Sequence, residues 1–119
     1  MTPAPSATPP APSTAEHQLA RAVEQLVGQV THWPPARWRA ARGSGAGTPA
    51  DRVHALVQQL ADLCATVEGR PGRPVPRLAA DLALPDQLTV VTVDLLAAGP
   101  AAPVLAAALD AVRAVRTTL

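Results

Sequence analysis

The 119-residue chain contains no Phe, Tyr, Ile, Lys or Asn. These five residue types are the ones written by AT-rich codons. Their joint absence points to a GC-rich bacterial gene and is partly a codon effect, not a functional choice. There is one cysteine, Cys64, and a single thiol closes no internal disulfide. That suits a reducing compartment, so a cytoplasmic protein is expected. Serine occurs only at positions 6, 13 and 44, and no nucleophile elbow of the GxSxG type surrounds any of them. The GSGAG run at 43–47 shares only its glycine content with a phosphate loop, because the GK[ST] ending is missing and the chain has no lysine. No HxxxH, HExxH or CxxC spacing is present, so neither a metal nor a cofactor is expected.

Charge is scarce as well. Charged residues make up 16% of the chain, and ten arginines against nine acidic residues leave a net charge of +1. A dedicated nucleic-acid binder normally carries a basic surplus or stripe. Long apolar runs are also lacking. The closest candidate, 87–109, is interrupted by Asp94, Gly99, Pro100 and Pro103, so no membrane span is expected. The first residues, MTPAPSATPPAPSTAEH, have neither a basic start nor an apolar run and do not read as a secretory signal.

What the chain does have is 26 alanines, 14 leucines, 13 valines and 14 prolines. Residues 1–14 hold five prolines and no Leu or Val, and read as a disordered Pro/Ala-rich tail. Residues 15–119 read as a single helical domain. Ser13 and Glu16 have capping-box spacing. Leu19, Val23, Leu26, Val27 and Val30 then follow at helical period, up to the stop set by Pro34 and Pro35. PPARWRAAR at 34–42 reads as a short helix with proline in its first turn. A second long helix is predicted from Thr48 as N-cap, with Pro49 first and Asp51 third in the helix. Its apolar stripe is Val53, Leu56, Val57, Leu60, Leu63, Cys64 and Val67, and Gly69 is its stop.

RPGRPVP at 70–76 cannot be helical, and a short turn is expected at 77–82. The next element opens at Leu84, Pro85 and Asp86 and runs to Ala98. Its centre, LTVVTVDLL, is rich in β-branched residues that favour strands. No other segment offers a strand partner and both flanks are helix-like, so helix is the preferred reading. A final helix follows Pro103, with Leu105, Ala108, Leu109, Val112, Val115 and Leu119 on one face and Arg113 and Arg116 near its negative end. The expected fold is all-α: a small up-and-down bundle of about four helices joined by short Pro/Gly-rich connectors.

An alanine-rich core buries little area per residue. The segment 88–96 is apolar on two sides. Together these suggest that the fold works through contact with a protein partner or with itself as a homo-oligomer, through Leu88, Val90, Val93 and Leu96 and the pair Trp33 and Trp38. The expected function is a non-enzymatic interaction module: an adaptor, an assembly subunit or a regulator. The alternative is a nucleic-acid-binding accessory protein using Arg37, Trp38, Arg39 and Arg42, since arginines interleaved with an aromatic hold phosphates and stack on bases. Against that alternative, Trp33 and Trp38 also suit a lid on the bundle with arginine stems packed over them. A third reading takes His54 with Asp51 and Gln58 at helical spacing as an acid/base group; a solvated helix face is the simpler account. His17 and His32 are too far apart on one helix to share a metal. Cys64, on the apolar stripe, reads as a small buried hydrophobe.

Overall fold

The computed structural model describes residues 14–40 and 47–119. The expected N-cap Ser13, the proline-rich tail up to it, Arg42 and most of the GSGAG run lie outside the described residues. Among the described residues five helices follow in order: α1 (Thr14–Val30), α2 (Pro35–Trp38), α3 (Pro49–Val67), α4 (Leu84–Ala97) and α5 (Ala102–Thr118), with a 3-10 turn at Asp81–Ala83 before α4. No strand occurs among the described residues. The segment LTVVTVDLL is helical, as its flanks predicted. No helix of the described residues is long and apolar enough to cross a membrane.

Both ends of α3 have a local cause. Thr48 Oγ1 accepts from the Asp51 N–H at 3.1 Å, while Asp51 Oδ2 accepts from the Thr48 N–H at 3.0 Å. This is a reciprocal capping box with Pro49 at the first helical position. At the other end Gly69 takes φ +69°, the left-handed conformation that glycine enters without a Cβ clash. The Arg70 N–H then reaches back to the Ala65 carbonyl at 2.9 Å and the Gly69 N–H to Thr66 at 3.2 Å. These two bonds close α3 in a Schellman pattern.

The four long helices form the bundle: α1 packs on α4 and α5, and α3 packs on the same two. The core is filled mainly by leucine and valine at 3–4 spacing: Leu19, Leu26 and Val30 from α1, Val53, Val57 and Leu60 from α3, Leu88 and Leu95 from α4, and Val112 from α5. Alanines fill the remainder, with Ala50 and Ala108 fully enclosed where helices approach closely. Short α2 packs on α3 and on the 3-10 turn. It carries the largest core side chain, Trp38, into the end of the bundle with no exposed surface. Two long-range bonds tie α5 down. Arg52 donates to the Thr118 carbonyl at 2.9 Å, and Arg116 donates to Gln25 Oε1 at 2.6 Å.

Candidate functional site

Helix α4 is apolar on two faces, and the bundle uses only one of them. Leu84, Leu88, Val91 and Leu95 recur at intervals of four, three and four and point into the core. Thr92 is buried with them and its hydroxyl donates to the Leu88 carbonyl at 2.7 Å, so no polar atom of that side chain is left over. The outer face keeps Val90 and Val93, which are 60% and 59% exposed.

This valine ridge separates two grooves. One, of about 540 Å³, lies between α4 and α3 and is floored by Val57, Ala61, Val75 and Val91. Asp86, Gln87 and Asp94 stand among its lining residues. Gln87 Oε1 is buried there with no hydrogen-bond partner, although its amide nitrogen donates to the Pro76 carbonyl at 3.2 Å. The other groove, of about 330 Å³, lies between α4 and α1, with Val23, Val27, Val93 and Leu96 as its apolar lining and Glu24 among the residues around it.

The residues proposed from sequence as a contact surface are therefore split. Val90 and Val93 form the exposed ridge and Leu96 is half-buried beside it. Leu88 has no exposed surface and belongs to the core. Trp38 is fully buried and Trp33 nearly so, and neither offers a face to a partner. The correction has one physical cause in each case. Leu88 shares the inward row of α4. The Pro34–Pro35 turn folds α2 back so that Trp38 drops into the bundle.

The same placement bears on the arginine cluster. Trp33 and Trp38 meet edge to face, with ring centroids 5.3 Å apart. The Arg37 guanidinium lies 4.2 Å above the Trp33 ring, a cation–π contact that covers the aromatic pair in the manner of the expected lid. Arg39 pairs with Asp81 at 3.7 Å. A base has no exposed Trp38 ring to stack on, which removes the aromatic element of the nucleic-acid reading. Arg42 lies outside the described residues.

His54, Gln58 and Asp51 all meet the connector between α3 and α4. His54 Nε2 donates to the Val75 carbonyl at 3.0 Å. The Val75 N–H donates to Gln58 Oε1 at 2.6 Å, and Gln58 Nε2 donates to the Arg73 carbonyl at 3.0 Å. Asp51 pairs with Arg77 at 2.9 Å, and Arg77 reaches Asp81 at 3.9 Å. The capping bond from the Thr48 N–H, followed by the Arg77 contact, holds the Asp51 carboxyl below its ordinary range. These groups fasten an extended, proline-rich strap that has no helix of its own. Sequence spacing put His54 beside Asp51 and Gln58, but nothing in the spacing indicated that the connector's carbonyls are their partners.

Cys64 is buried, and burial together with its bond to Glu68 Oε1 at 3.0 Å pushes the thiol pKa up. It is a poor nucleophile in that state. Among the described residues no group of three or more His, Cys, Asp and Glu side chains is placed to hold a metal ion.

One cluster escaped the sequence reading. Arg21 lies on α1. It lines a cleft of about 190 Å³ with Arg113 and Arg116 of α5. The signal was available in the Gln18/Arg21/Gln25 and Arg113/Arg116 spacings, but only the packing of α1 on α5 brings the two rows together. Comparison with family models, curated proteins and solved structures gives no significant match to the chain.

Proposed function

We propose that the protein is a non-enzymatic helical interaction module that pairs with a second copy of itself through the outer face of α4. The observation that carries this reading is the Val90–Val93 ridge, exposed between two apolar grooves. A ridge flanked by grooves is self-complementary: in a twofold arrangement each ridge enters a groove of the other copy. Charge selects the register. Antiparallel α4 helices centred on Val90 would set Asp86 against Asp94 of the second copy. Shifting the centre to lie between Val90 and Val93 sets Asp86 opposite Ala97 and Asp94 opposite Thr89, with the valines in contact. That register avoids like charges in an apolar contact. A 14-residue helix is about 21 Å long, so this interface lies at the small end of stable ones and the pairing is concentration-dependent.

A non-enzymatic role is supported by the work the candidate catalytic groups already do. His54 and Gln58 hold the connector, Asp51 caps α3 and pairs with Arg77, and the Cys64 thiol is buried. The single unpaired thiol also supports a cytoplasmic setting. The test is light scattering behind size exclusion on the full chain at two concentrations about a hundredfold apart. The expected result is a mass rising from monomer towards dimer in the native chain and staying at monomer in V90E/V93E, with helicity unchanged because both side chains already face water. A monomer at both concentrations overturns self-pairing.

A further inference from the structure

The cleft between α1 and α5 is unlike the rest of the surface. Arg21 stands on α1 between Gln18 and Gln25, three residues before and four after, so all three share one helix face. Arg113 and Arg116, three apart, face them from α5. The buried Ala22 and Val112 form the floor. No carboxylate lines the cleft, and Glu24 and Asp110, the nearest acids in sequence, are not part of it. Among the described residues Arg21 and Arg113 make no ion pair, and Arg116 makes only its bond to Gln25. Three arginines outside the cleft pair with carboxylates: Arg39 with Asp81, Arg70 with Glu68 and Arg77 with Asp51.

We propose that this cleft binds a phosphate group, held by Arg21, Arg113 and Arg116. Three like charges without a counter-charge repel each other, and an anion among them relieves that repulsion. Planar guanidinium forks match the oxygens of a phosphate two at a time, and the Gln18 and Gln25 amides add neutral donors beside them. The volume of about 190 Å³ is below the roughly 300–1,000 Å³ of pockets that enclose a whole small molecule. The cleft therefore takes a phosphoryl group and leaves the remainder of the ligand in solvent. This site is separate from the α4 ridge and stands whether or not that face self-pairs.

The test is a titration of the full chain with inorganic phosphate and with pyrophosphate in dilute buffer, followed by backbone amide NMR, with sodium chloride at matched ionic strength as the control. The expected result is saturable one-site binding with shifts confined to residues around Gln18–Gln25 and Val112–Arg116. The dissociation constant should rise about tenfold in R113Q, which loses one charge-assisted pair. It should be unchanged in R73Q, an exposed arginine outside the cleft. R113Q should melt as the native chain does, because its side chain is exposed and makes no bond in the fold. Non-saturable shifts, an equal response to chloride, or equal affinity in R113Q overturn the proposal. So does binding of a single-stranded oligonucleotide without any saturable response to phosphate or pyrophosphate, which would mean that the cleft follows a nucleic-acid backbone instead.

Discussion

At the scale of single residues, two side chains contribute more than their neighbours in sequence would suggest. Trp38 is the largest fully buried side chain in a core made mainly of leucine, valine and alanine. W38A should destabilise the fold by about 3–5 kcal/mol, read from denaturant unfolding, because small neighbours cannot collapse into a space that size. Its indole N–H is buried without an acceptor, so W38F loses volume but also removes an unsatisfied donor. The cost of W38F should be well below that of W38A. Asp51 contributes through charge. Its folded pKa is lowered, first by the Thr48 N–H and then by Arg77, so its stabilisation is present above the ordinary aspartate value and disappears as pH falls through the folded one. Melting temperatures of the native chain and D51N should therefore differ at neutral pH. They should converge as pH falls below about 3.9, the unperturbed aspartate value. A difference that is constant with pH would mean that the carboxylate's charge contributes nothing.

At the scale of elements, the connector 70–80 depends on α3. It is extended and proline-rich, and His54 and Gln58 bond its backbone to α3. H54A should lower stability by about 1 kcal/mol, the net worth of one part-buried hydrogen bond. It should also speed tryptic cleavage after Arg77, the strap arginine that is not followed by proline, because the loosened strap opens locally before the bundle does. Unchanged proteolysis would show that the strap is held without the imidazole. The ends of α3 were legible in advance because capping is a short-range rule: Thr48, Pro49, Asp51 and Gly69 each act within one turn of their own backbone. The inward face of α4 was not. Leu88/Val91/Leu95 and Val90/Val93 are both apolar rows at helical spacing, and periodicity does not say which of two such rows meets the core.

At the scale of the whole molecule, four helices packed around a core of leucine, valine and alanine leave the Val90–Val93 ridge uncovered. If that ridge pairs, the folded state is stabilised by mass action. The melting temperature of the native chain should then rise with protein concentration, while that of V90E/V93E should not, a comparison open to differential scanning calorimetry. Local patterning by itself determined the helical class, the number of long helices, the stops at Gly69 and at Pro34–Pro35 and the absence of metal-ligand spacing, since all of these are set by neighbours a few residues apart. Tertiary structure alone decided four other things: that Trp38 lies inside the bundle, that the ridge of α4 is Val90 and Val93, that His54 serves the connector, and that Arg21 meets Arg113 and Arg116. In each of these the partner lies on another element. The physical reason is the same throughout: a sequence states which faces a helix has, and only the packing of helices on one another states what each face meets.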